Sequence, residues 1–210
     1  RIKTISRATT FSGTLTTNHY LFGGTVPDEA GDPEGYSMKC SQPSFTSPVC
    51  TSVSVDGGPS DANLNIVSSA ITTGSESCPV PPCFFNTKVD EIWFGSASLD
   101  GFADIFRGVT PFEEVTSFHF LGNAPTLRGS VWTGADVVWH YGDAGLLIRC
   151  DNADCVNVDM GSDTDYSFQD AYSYGEGLVL LGTKGSLGRL LFIPSDAGQT
   201  DASQYVSTYF

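Results

Sequence analysis

The sequence predicts an all-β protein, and three observations support this fold class. The 210 residues include 23 Gly and 11 Pro, a content typical of a chain with many turns. The 14 Phe and 8 Tyr, within a hydrophobic content of 40%, can build an ordered core. Short apolar segments with β-branched or aromatic residues recur between the turns, as strands do.

One stretch recurs along the chain. DVVWHYGDAGLLIRC at 136–150 has counterparts in EGLVLLGTKGSLGRL at 176–190, NHYLFGGT at 18–25 and DEIWFGSA at 90–97. An acidic or amide residue precedes each apolar strand, and a cation ends the strand after it. The first set is Asn18, Asp90, Asp136 and Glu176, and the second is Lys39, Arg107, Arg149 and Arg189.

A further strand precedes each of these pairs, and in the first three repeats another follows it. Four short strands in roughly 40 residues are typical of a propeller blade. We therefore predict one β-propeller domain over 1–210, with blades at about 1–58, 59–122, 123–162 and 163–198. Because DASQYVSTYF at 201–210 resembles DANLNIVSSA at 61–70, residues 199–210 are a closing strand or the start of a further blade. The four blades are then a whole propeller or a segment of a larger one.

The six cysteines fall into three close pairs, which predicts local disulfides. The pairs are Cys40 with Cys50, Cys78 with Cys83, and Cys150 with Cys155. Zinc is the alternative, but the C-x2-C spacing and the clustered His that it favours are missing. Disulfides persist in oxidising compartments, so we expect an extracellular or cell-surface location.

The charge excludes two classes of partner. Acidic residues outnumber basic ones 24 to 10, giving a net charge of −14, whereas nucleic acids and anionic membranes attract basic patches. No apolar run is long enough to span a bilayer, so we expect no membrane insertion.

The repeat resembles a known family. DVVWHYGDAGLLIRC is similar to the DVWAVGDGGTILRW repeat of secreted and surface bacterial β-propellers, and LRGSVWTGAD at 127–136 is similar to the strand before it. The resemblance covers most of residues 60–192, in an architecture that sialidase-like hydrolases share. It implies a fold more than a function.

The candidate chemical residues favour a structural interpretation. The acidic or amide residue and the cation recur once in every repeat. Such side chains fit turn caps or ion pairs between blades better than they fit a ring of ligand-binding groups, because a substrate lacks the symmetry of the repeats. Asp159, Asp163 and Asp165 belong to an acidic turn, with a calcium site as the alternative; no other cofactor is predicted. His19, His119 and His140 lie in strands without a nucleophile motif, and His140 is expected to pack against its surroundings.

We therefore predict an extracellular, non-catalytic module with a structural or binding role. The alternative is a carbohydrate-active, sialidase-like hydrolase, although the repeats match no Asp-box and no Tyr–Glu pair stands out. The expected partner is a protein, or a second copy joined through the terminal strand, and a glycan is the other candidate.

Overall fold

A computed structural model describes most of the chain. The described residues are 2–12, 14–27, 33–53, 66–75, 87–97, 102–108, 113–119, 125–133, 137–151, 154–160, 165–174, 177–193 and 206–209. They fold into strands that form four antiparallel sheets of four strands each. The all-β prediction is thus confirmed. Across these ranges, no helix has the length and apolar character that crossing a bilayer requires.

Each sheet takes its four strands from one continuous stretch of sequence. The first sheet contains β1 (Ile2–Ser12), β2 (Leu15–Pro27), β3 (Pro33–Pro43) and β4 (Val49–Val53), in that order. The second contains β5 (Ile66–Ser75), β6 (Thr87–Ala97), β7 (Phe102–Gly108) and β8 (Glu113–His119). The third contains β9 (Leu127–Trp132), β10 (Val138–Gly142), β11 (Leu147–Cys150) and β12 (Cys155–Asn157). The fourth contains β13 (Ser167–Tyr174), β14 (Gly177–Lys184), β15 (Leu187–Ile193) and β16 (Val206–Tyr209).

The last strand pairs within the fourth sheet. β16 pairs with β15, with Val206 opposite Phe192 and Thr208 opposite Leu190. It is therefore the fourth strand of the fourth sheet, not the first strand of a further one, and this sheet extends past residue 198 to Tyr209. A short β-prone segment thus satisfies the free edge of β15.

The chain forms two compact units. One comprises Arg1–Phe94 and Phe106–Glu114, and the other comprises Gly95–Ile105 and Val115–Phe210. In the second unit an apolar core lies between the third and fourth sheets. Trp139 is fully buried there among Leu147, Phe168, Leu180 and Leu191, which confirms its predicted place in the core. The side chain of Trp93, predicted to be its counterpart, lies outside the described residues.

In the first unit the contact between sheets includes hydrogen bonds between hydroxyl groups. β1 packs on β5, and Ser6 Oγ donates a hydrogen bond to the Ser69 carbonyl oxygen at 2.6 Å. Thr4 Oγ1 lies 2.9 Å from Ser69 Oγ. Val67 and Ile71 share the side of β5 with Ser69, and both are buried. Hydroxyl groups and apolar side chains thus lie together on this side of β5.

Gly142, which ends β10, has a steric role in the third sheet. A Cβ on Gly142 would come within 2.2 Å of the Thr126 carbonyl oxygen. The chain then turns through Ala144 and Gly145, with φ of 53° and 72°, and Leu146 N–H donates to the Asp143 carbonyl at 3.0 Å. Two successive positive φ values are typical of the tight turns that suit twisted hairpins. A larger residue at Gly142 would collide with β9.

Candidate functional site

Two predicted disulfides are present at equivalent places. Cys40 lies directly opposite Cys50 across β3 and β4, and Cys150 lies directly opposite Cys155 across β11 and β12. Both pairs are bonded, with Cα atoms 4.0 and 4.1 Å apart. Each bridge joins the third and fourth strands of its sheet, as the repeat predicted. Cys78 and Cys83 lie outside the described residues, so their bridge stays a prediction.

The recurring cations are used within the fold where their contacts are described. Arg149 Nη1 donates to Asp151 Oδ2 at 2.7 Å, two residues along the chain. Arg189 is buried, and its guanidinium carbon lies 5.4 Å from the centre of the Tyr166 ring. Neither cation is displayed to solvent as a binding ring would require.

Arg149 and Arg189 also occupy different positions in the strand pairing of their sheets. Arg149 pairs with Trp139, whereas Arg189 pairs with Gly182, which corresponds to Gly142 in the repeat. The β14–β15 hairpin is tighter, since Lys184 already pairs with Leu187. The same sequence spacing therefore places the two guanidinium groups differently in their sheets.

The residues predicted to precede the second strands are only partly described, and Asn18 and Asp90 lie within β2 and β6 rather than before them. Asn18 Oδ1 accepts hydrogen bonds from Arg7 Nη2 at 3.0 Å and Thr9 Oγ1 at 3.1 Å, which joins β1 to β2. This matches a structural role. Asp136 and Glu176, and the side chain of Asp90, lie outside the described residues.

His19 lies in a polar cluster on the first sheet. Its Nε2 is 2.8 Å from Thr10 Oγ1, and its Nδ1 is 3.0 Å from Ser41 Oγ. Burial, and then the positive charge of Lys39, hold the pKa of His19 below its ordinary value. A neutral imidazole between two hydroxyl groups links three adjacent strands.

His140 is completely buried on β10, beyond the partial burial expected from the sequence. Its Nδ1 lies 2.6 Å from Ser130 Oγ on β9. Burial lowers the pKa of His140 to about 3, so the ring is neutral near pH 7. It is a packed core residue with a hydrogen bond to a neighbouring strand. The side chain of His119 lies outside the described residues.

The predicted calcium residues are not brought together where they are described. Asp165 is exposed and forms an ion pair with Lys184, and Asp159 is exposed on the segment after β12. Asp163 lies outside the described residues. Among the residues that the structure describes, no group of three His, Cys, Asp or Glu side chains is arranged to hold a metal ion. The calcium site stays a prediction.

The fourth sheet has an exposed aromatic surface, which we call the Tyr172 face. The exposed fractions of Tyr172 and Tyr174 are 64% and 72%, and Phe192 is also exposed. The Tyr174 and Phe192 rings meet edge to face, with centroids 6.3 Å apart. Tyr172 and Phe192 both pair with Val179, so all these side chains share the side of the sheet opposite Leu178 and Leu180.

The first sheet has a second exposed surface, which we call the Ile5 face. Ile5, 62% exposed, pairs with Phe22, which pairs with Met38 on the next strand. Arg7 is exposed beside it, with its guanidinium carbon 5.9 Å from the Tyr20 ring centre. These side chains share one side of the sheet, and Ser6 and Leu21 lie on the other. A cavity of about 130 Å³ adjoins this surface, lined by Ile2, Phe22, Val26 and Tyr36 among others.

Sequence reasoning missed both faces as sites. YSY at 172–174 alternates aromatic and small residues, and ISR at 5–7 alternates long and small ones, which is a signal for one-sided strands. That signal does not reveal whether the long side chains face a core or solvent. Comparison with known proteins assigns no family or function to the chain, because it matches no protein-family model and no curated protein.

Proposed function

We propose that this chain is a non-catalytic β-propeller module that works outside the cytoplasm in a structural or binding role. The observation that carries the proposal is the succession of four antiparallel sheets, each built from four consecutive strands. Such a sheet matches the four-stranded blade from which propellers are built. The resemblance to secreted bacterial propeller repeats supports the same arrangement.

The burial of β10 is a second support. All five of its residues, Val138–Gly142, are buried, although alternate side chains point to opposite sides of the sheet. An outer sheet of a two-layer sandwich would expose one of these sides. A blade between two neighbours buries both.

The contacts of the cations favour a non-catalytic role. A sialidase-like site needs arginines that reach an acidic sugar, together with carboxylates or a tyrosine for the chemistry. Arg149 is instead paired with Asp151, and Arg189 is buried beside Tyr166. The two disulfides indicate an oxidising compartment, which supports an extracellular location.

A hydrolysis assay tests the proposal. The disulfide-bonded protein is incubated with a panel of sialosides and neutral glycans, and released sugar is measured beside an Arg149→Gln variant with a matching melting temperature. We expect no turnover above the buffer blank from either protein. Turnover that the variant loses would establish the hydrolase and overturn the proposal.

A further inference from the structure

Two apolar surfaces of this acidic chain face solvent. Tyr172, Tyr174 and Phe192 are exposed on one, and Ile5 is exposed on the other beside Phe22 and Met38. Clustered exposed aromatic and aliphatic side chains mark interaction surfaces more often than ordinary solvated ones. The question is what covers them.

The repeat shows what the Tyr172 face corresponds to. Forty residues separate Trp139 from Val179 and Tyr141 from Leu181 in the aligned repeats. In the third sheet, Trp139 and Tyr141 belong to the core that the fourth sheet covers. Val179, which pairs with Tyr172, is on the matching side of the fourth sheet. The Tyr172 face is therefore the side on which a following sheet would pack.

The Ile5 face corresponds to the opposite side of a sheet. Aligning Asn18 with Asp136 places Tyr20 at Val138, Leu21 at Trp139 and Phe22 at His140. Val138 and His140 are completely buried in the third sheet. Tyr20 and Phe22 are on the Ile5 face, which is therefore the side that would receive a preceding sheet.

The two faces also differ in charge. The Ile5 face presents Arg7, and Glu34 is placed on the same side at the other end of the β2–β3 ladder, opposite Val26. The Tyr172 face carries Asp170, whose Oδ2 accepts a hydrogen bond from the Tyr172 hydroxyl at 2.8 Å, and its described side chains include no Lys or Arg. A cation opposite a carboxylate favours pairing of unlike faces over pairing of like ones.

We propose that the Tyr172 face of one copy of this chain docks on the Ile5 face of a second copy, and that two such junctions close a two-chain ring of eight sheets. This inference rests on the proposed propeller function, since it treats each sheet as a blade. Eight blades fall within the usual range for propellers, and a two-fold ring leaves neither face open. The partner is thus the chain itself.

The test measures mass in solution by light scattering and sedimentation velocity on the oxidised protein. A chain of 22.3 kDa should form a dimer of about twice that mass at micromolar concentration. Ile5→Asp and Tyr172→Asp should each yield monomers, because either change blocks both junctions of the ring. Tyr172→Ala, a milder change at an exposed residue, should raise the dissociation constant at least about tenfold. The control is Phe45→Asp, at a fully exposed residue in the β3–β4 turn, which should stay dimeric.

Mixing the two aspartate variants identifies the geometry. Each variant keeps one intact face, so the mixture should recover part of the dimer through the single junction between intact faces. A monomeric parent chain would overturn the inference in favour of closure within one chain. Polymers that lengthen with concentration, or a dimer that Ile5→Asp leaves unchanged, would also overturn it. None of these results alters the hydrolysis assay, which tests the proposed function separately.

Discussion

At the scale of single residues, Trp139 carries the packing between the third and fourth sheets. It is completely buried among aliphatic and aromatic side chains of both sheets. Trp139→Ala should lower the free energy of unfolding by about 3–5 kcal/mol, because it leaves a cavity that the surrounding strands cannot fill. Urea denaturation followed by circular dichroism measures this.

The matched control is Phe45→Ala, which truncates a fully exposed aromatic side chain. It should change the free energy of unfolding by no more than about 0.5 kcal/mol. If both variants unfold at the urea concentration of the parent, Trp139 is not in the core.

His140 should give the protein a characteristic dependence on pH. Its pKa is about 3 in the folded chain and has an ordinary value of 6.5, which applies when the chain unfolds. Between these values the unfolded chain binds a proton that the folded chain does not, so acid favours unfolding. The contribution of His140 is constant above about pH 6.5 and falls below it, by at most about 1.4 kcal/mol per pH unit.

His140→Gln removes this titration while keeping a group that can bond to Ser130. The difference in unfolding free energy between parent and variant, measured from pH 8 to pH 4, should therefore shrink or reverse as the pH falls, as expected for one proton. Parallel pH profiles for the two proteins would show that burial of His140 does not shift its pKa.

At the scale of strands and hairpins, the sequence predicted much of the fold. The strands predicted to precede each recurring pair are present as β5, β9 and β13, and Cys150 is bonded to its predicted partner Cys155. These elements depend on local alternation and turn chemistry, which a single sequence displays. The prediction was weaker where hairpin length decides the outcome.

The cations illustrate that limit. Arg149 and Arg189 have the same distance from a preceding Gly, yet they pair with Trp139 and Gly182, which are not equivalent. A shift of one residue reverses the side on which a strand presents its side chains, and sequence spacing across a turn does not fix register. For the same reason the exposed Tyr172 and Ile5 faces could not be told from buried ones.

The two described disulfides should contribute similarly to stability. Each bridge joins two cysteines that lie directly opposite each other on adjacent strands. The bonded cysteines are separated in sequence by 10 residues in the first bridge and by 5 in the second. Replacing either pair by Ala should cost about 2–4 kcal/mol of unfolding free energy, chiefly by freeing the unfolded chain. Peptide mapping without reduction should recover Cys40 linked to Cys50 and Cys150 linked to Cys155. A link between Cys40 and Cys150 would contradict the pairing.

β16 should behave as an integral strand of the fourth sheet. It pairs along β15 from Arg189 to Phe192, and its removal would expose a strand edge. Deleting 204–210 should lower the melting temperature and speed amide exchange in β15, while exchange in the first sheet stays unchanged. Rapid exchange throughout 206–209 in the intact protein would show that the strand is not paired.

At the scale of the whole molecule, the proposed propeller requires the four sheets to stack face to face as blades. A net charge of −14 favours solubility of a β-rich chain, and the proposal leaves two apolar faces for specific contact. The same proposal explains the burial of β10 on both sides. Blade stacking is therefore the central claim.

A crystal structure of the oxidised protein tests that claim most directly. The proposed propeller predicts that β1, β5, β9 and β13 lie side by side around a common axis, with each sheet packed face to face on the next and β10 buried on both sides. Sheets paired instead as a two-layer sandwich, with one side of β10 open to solvent, would contradict it.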